Sequence, residues 1–168
     1  MVFEFVPQFS KMLTNLSGIL DKAQAFSESK KMDSANLLAA RLAPDQFNFT
    51  RQVQACCDMA KGYAARLTGK EAPRHEDKET TLAELQQRIH QTVQFLNTIK
   101  EEDFKGWASR QVLNPRREGK FLPGNEYAMH QAIPNFYFHI TTAYAILRHN
   151  GVDIGKKDFL GELKYRDL

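Results

Sequence analysis

Apolar residues recur every three or four positions along four long stretches of the chain, the pattern of helices that bury one stripe. From about Pro7 to Ser29 the stripe is Phe9, Leu13, Leu16, Leu20, Ala23 and Phe26, widened by Met12 and Ile19. Pro7 suits a first turn, where a missing N–H breaks no helical bond. From Pro44 to Leu67 the stripe is Phe49, Val53, Cys56, Ala60, Tyr63 and Leu67, and Gly69 is placed to cap the C-terminus. The third helix opens with Thr81 and Glu84 at capping-box spacing, where hydroxyl and carboxylate each take a free amide. Leu82, Leu85, Ile89, Val93, Leu96 and Ile99 follow, ending near Lys100, with His90 one step off the stripe. The last long helix follows Pro134, carries Phe136, Ile140, Ala143 and Leu147, and stops at Asn150 and Gly151. A shorter piece from Met32 to Leu42 adds a helical turn or two, with Asp33 or Ser34 as its cap.

Between these stretches the period fails. Residues 70–79, KEAPRHEDKE, read as a surface loop with His75 in solvent. Residues 103–133 hold Gly106, Pro115, Gly119, Pro123 and Gly124 and read as an irregular crossover. Within it, Gln111 to Leu113 and Lys120 to Leu122 are placed to pair as a short hairpin around NPRREG, and Trp107 anchors the entry. In the tail, Phe159 and Leu160 are the docking residues. Helix, helix, helix, crossover, helix, without a strand-period run, predicts an all-α fold. It is a four-helix bundle with a long irregular crossover before the last long helix, one domain over 1–168.

Charge adds little. With 23 basic and 20 acidic residues the net charge is +3, and the nearest thing to a basic patch is Arg110, Arg116, Arg117 and Lys120. That group reads as a solvated loop, so no nucleic-acid partner is expected. Cys56 and Cys57 are adjacent, a geometry that disfavours a disulfide and points to a reducing compartment. The opening MVFEFVPQFSKML has no basic region followed by a long apolar run, and no stretch nears the ~20 apolar residues of a span. The expectation is a cytoplasmic protein without a membrane partner.

Motifs with strong chemistry are missing: no phosphate-binding glycine loop, HExxH, paired CxxC or GxSxG occurs. No glutamate has a histidine three residues later, which removes the di-iron bundle pattern. The stretch PNFYFHITTAYAILRHNGVDIGKKDFLG, together with TLAELQQRIHQTVQFLNTIKEEDF and the Tyr63 to Gly69 helix end, resembles the DinB-like (YfiT-like) bundle superfamily. The wording is most similar to a branch known as a domain of unknown function. The resemblance implies a divalent metal held by one histidine of the second helix and a His-x-x-x-His pair of the last. Aligned on Leu147, Arg148, Gly151, Asp158 and Phe159, the pair falls on Asn135 and His139, and the second helix has no histidine. The triad is incomplete, so no metal cofactor is expected. Cys56 is the candidate left at the second-helix position.

Three functional readings follow. In the first, the chain is a small-molecule-binding or interaction module, a homodimer with a degenerate metal site. In the second it is a transferase of the superfamily that uses a metal, or Cys56 with His139. In the third, a sensor pocket lies under the crossover. The ligand-binding candidates are His139, Asn135, Trp107, Tyr137 and Gln52, within an aromatic and polar pool that includes Tyr127 and Tyr144. His139 is expected to be buried and to face the second helix, bonded to Asn135 on its own helix and to Cys56 or Gln52 of the second.

Overall fold

The computed structural model describes residues 2–113 and 117–167. Four helices make the bundle: α1 (Phe5–Ser29), α3 (Phe49–Thr68), α4 (Leu82–Asn97) and α6 (Ile133–His149). Helix α3 lies between α4 and α6, and α1 closes the ring against α4, touching α3 and α6 as well. The core is the union of their stripes: Phe9, Leu13, Leu16 and Leu20 of α1 meet Tyr63, Leu85, Phe136 and Ile140 inside. Phe9 is its aromatic hub, with its ring centroid 4.2 Å from that of Phe136 and 5.2 Å from that of Tyr63.

The ends of the helices follow local chemistry. At α4 both halves of the capping box form, with the Glu84 amide donating to Thr81 Oγ1 at 3.2 Å and the Thr81 amide to Glu84 at 3.1 Å. Helix α3 starts later than the stripe predicts, at Phe49 instead of Pro44, because Asn48 supplies the cap by accepting from the Arg51 amide at 3.0 Å. It stops at Gly69, whose φ of +81° is a left-handed conformation that glycine adopts without Cβ strain. The short helix α2 spans Ala35–Ala39, with Asp33 Oδ1 accepting from the Ala35 amide.

The crossover is more ordered than its glycines and prolines suggest. Two tight turns, Glu101–Phe104 and Trp107–Ser109, lead into strands β1 (Gln111–Leu113) and β2 (Phe121–Pro123). The register pairs Val112 with Leu122, and the second strand runs one residue later than the predicted Lys120 to Leu122, with Val112 buried and Leu122 half-buried. Residues 114–116 of the proposed turn lie outside the described residues, as does Arg116 of the basic group. After β2 the chain is helical: α5 (Gly124–Glu126), a wide π turn at Tyr127–Ala132, then α6. The sequence reading ended the crossover at Pro134, but the helix runs through that proline. A proline lacks an N–H and crowds the carbonyl one turn earlier, and the wide turn just before it relieves that crowding. In the tail, α7 (Lys156–Leu160) docks through Phe159, edge-on to Tyr144, and its carbonyl accepts from Asn15. Leu160, expected beside it, is exposed.

Candidate functional site

Residues of α3, of the helix ending in α6 and of the hairpin line a common cleft at the bundle surface. The resulting cleft has a volume of about 540 Å³. One wall comes from α3 at helical spacing, with Arg51, Ala55, Asp58, Met59 and Arg66. The other is the continuous helix of residues 124–149, which presents Tyr127, Gln131, Asn135 and His139 at steps of four. Val112, Leu113 and Leu122 of the hairpin form an apolar third side, and Phe47 closes the end beside His139.

His139 is the best-positioned group in this cleft. Its Nδ1 lies 2.7 Å from Gln52 Oε1, and Gln52 Nε2 donates to the Phe47 carbonyl at 3.2 Å. A backbone carbonyl accepts and never donates, so the Gln52 amide is fixed with its NH₂ on Phe47 and its oxygen on His139. That oxygen also only accepts, so His139 carries its proton on Nδ1 and keeps a lone pair on Nε2. Burial, then the positive charge of Arg51, hold the imidazole below its usual range and keep it neutral at pH 7. The Phe47 ring stacks over it, 13° from parallel at 6.2 Å. Gln52 itself is fully buried and acts from behind the cleft.

The other sequence candidates divide. Asn135 lines the cleft, but its Nδ2 is directed at Met59 Sδ 3.2 Å away, and the bond expected from it to His139 is not formed. Cys56 does not reach it: the thiol is fully buried, burial pushes its pKa up, and the bond expected for it at His139 is made by Gln52. The α3 side chains that share the cleft with Asn135 include Ala55, one position before Cys56, and Met59, three positions after it. Tyr137 faces α1, where its hydroxyl accepts from Gln8 at 3.3 Å, and Tyr144 faces α7. Trp107 sits outside this cleft, and its carbonyl packs so tightly on Gly124 that a Cβ there would lie 1.8 Å from the oxygen. The backbone there is held where only glycine fits at position 124, while the indole is half-buried against the core and lines a separate cavity with Val2, Phe5 and Tyr63.

A three-histidine metal centre does not fit these residues. The cleft offers one imidazole nitrogen, an amide already turned to sulfur, an alanine and a methionine on the facing helix, and the Asp58 carboxylate, which Arg88 and Lys61 already hold. Among the described residues, no three His, Cys, Asp or Glu side chains gather as a metal site.

Behind the cleft lies a charge cluster that the sequence reading missed. Arg88 of α4 is 2% exposed and binds Asp58, Asp77 and Glu79 at 2.8, 2.6 and 3.0 Å. Asp77 also holds Arg51 at 2.6 Å, and Asp58 holds Lys61 at 3.1 Å. Two cleft residues, Arg51 and Asp58, are thus fixed by the 70–79 segment and α4. Burial alone would raise Asp77 and Glu79, but the Arg88 hydrogen bonds win and hold both below the usual carboxylate range. The segment read as a plain surface loop is tied down, and His75 with it, its Nδ1 3.0 Å from Lys61 Nζ. In the basic group, Arg110 folds back over Gly69, whose added Cβ would lie 2.8 Å from its Nη1. Arg51, Asp58, Met59 and Arg66 were legible only as the polar face of α3, at positions that do not enter the core stripe.

Among the described residues, no helix is long and apolar enough to cross a membrane. Among curated proteins, none matches the chain. A crystal structure of a DinB family member protein from Shewanella denitrificans is similar over nearly the whole length. The two share 57% identity and a TM-score of 0.93, over 97% of this chain and 93% of that one. The fold is accordingly the all-α bundle of the DinB-like proteins. The family described as a domain of unknown function (DUF1993) matches residues 3–160, and the chain belongs to that family.

Proposed function

We propose that this protein is a small-molecule-binding module whose ligand occupies the cleft between α3 and α6. The observation that carries the reading is His139: a neutral imidazole, its tautomer fixed by Gln52, with an acceptor lone pair on Nε2. The cleft sets the apolar surface of Ala55, Met59 and the hairpin beside oriented polar groups, and such a mixture can seat and orient a small molecule. His139 takes an N–H or O–H donor of the ligand, and Phe47 covers that end. Exposed Phe47, Leu113, Phe121 and Phe138 support the further proposal that the protein works as a homodimer, and the two free cysteines, Cys56 and Cys57, support a place in the cytoplasm.

The test is nitrogen NMR of protein labelled at histidine, titrated with indole as an apolar N–H donor. The Nδ1–H tautomer of His139 is expected at pH 7, with a saturable indole-dependent shift at Nε2 that Gln52→Leu weakens. An Nε2–H tautomer, or an indole titration that leaves the His139 signals unmoved, would overturn the reading.

A further inference from the structure

We infer that the cleft carries a second anchor about three helical turns from His139, a carboxylate seat formed by Arg66 and Tyr127, and that its ligand is a monocarboxylate with an apolar body. This rests on the cleft being a ligand site, as proposed above.

Tyr127 lines the cleft but is 2% exposed. Its hydroxyl oxygen accepts from Arg66 Nη1 at 2.9 Å. A guanidinium only donates, so the phenolic proton is not used in that bond. It has no acceptor among the described residues, which leaves a buried O–H donor at the cleft wall. Such a group is costly to leave unpaired. An acceptor oxygen supplied by a ligand removes that cost.

Arg66 supplies the charge. Its guanidinium lies 5.6 Å from the Tyr127 ring centroid. Among the described residues it enters no ion pair, whereas Arg51 and Asp58 in the same cleft are both paired. The arginine reaches this place by folding back along its own helix over Gly62. A Cβ at position 62 would stand 2.9 Å from Arg66 Nη1 and 3.8 Å from the Tyr127 hydroxyl. Gly62 therefore opens the space in which the two groups meet.

The pair suits a carboxylate: one oxygen takes a free Arg66 N–H and the other takes the Tyr127 O–H. One uncompensated cation matches one negative charge, since the other charges of the cleft, Arg51 and Asp58, are already paired. Beyond the seat, Met59, Val112 and Leu122 offer apolar surface.

Calorimetric titration with octanoate, octan-1-ol and octyl phosphate tests this on the wild-type protein and on Arg66→Gln, Tyr127→Phe and Gly62→Ala. Arg66 is a surface arginine and Gly62→Ala favours the helix, so at least these two variants keep the fold. Octanoate is expected to bind saturably and more tightly than either other probe. Each variant is expected to weaken it at least tenfold. Octan-1-ol binding as tightly as octanoate, octyl phosphate binding tighter, or unchanged octanoate affinity in Arg66→Gln would overturn the inference. Loss of octanoate binding with the indole response of His139 intact defeats the carboxylate seat alone. The converse result defeats the His139 reading and leaves the seat.

Discussion

Replacing Arg88 by methionine keeps most of the buried stem and deletes the charge that three carboxylates share. The cost is unequal among them. Asp58 keeps Lys61 and Asp77 keeps Arg51, and their side chains are 30% and 38% exposed, so solvent screens what they lose. Glu79 is 13% exposed and retains only the amide of Gln54 as a side-chain donor among the described residues. Removing one partner of a fully buried pair costs about 3–5 kcal/mol. With screening at two of the three carboxylates, about 3 kcal/mol is expected, or a fall in Tm of about 9 °C for a chain this long. Urea unfolding at pH 7 and at pH 3 measures it. The carboxylates of Asp77 and Glu79 are depressed by Arg88, so their stabilisation is complete above their unfolded values. It is lost as the pH falls through the folded ones. The gap between wild type and variant should therefore shrink at pH 3. Arg88→Met within 1 kcal/mol of wild type at pH 7, or a gap that widens in acid, would refute this account.

Thr81→Ala should cost about 1 kcal/mol through the lost cap bond, and Leu85→Ala about 2–5 kcal/mol through the cavity it leaves. Urea melts that reverse this order would place the start of α4 elsewhere. Gly124→Ala forces a Cβ against the Trp107 carbonyl and should destabilise by about 3 kcal/mol, the upper end for overpacking. Unchanged melting would remove Trp107 as the anchor. His75 and His139 are both depressed below the usual 6.5, each first by burial. Their neutral forms stabilise the fold fully above that value, and the contribution is lost as the pH falls below it. Melting temperatures should begin to fall below about pH 6.5, and Gln52→Leu, which alters the bond at His139, should change the slope. A flat profile from pH 7 to 5 would contradict the burial of both rings.

The stripes of α1, α3, α4 and α6 were legible in the sequence because each repeats at the helical period, and burial of one face needs nothing further to be recognised. Cap chemistry is equally local, which is why Thr81 with Glu84 and Gly69 stood where they were read. His139 facing Gln52 was reachable through resemblance together with helical register. Other features depend on how distant segments meet. Pro134 inside a helix follows from the wide turn before it, and the order of the crossover from Trp107 seated on Gly124. Cys56 lies on the core stripe and is buried there, and the adjacent face of α3 gives the cleft Ala55 and Met59 instead. The Arg88 cluster joins residues 58, 77, 79 and 88, each of which reads alone as a solvated charge. Sequence determined the helices and their inward faces, since those are set by neighbours three and four residues away. Which polar groups point into one cleft was decided by the packing angles of whole helices, which no local pattern records.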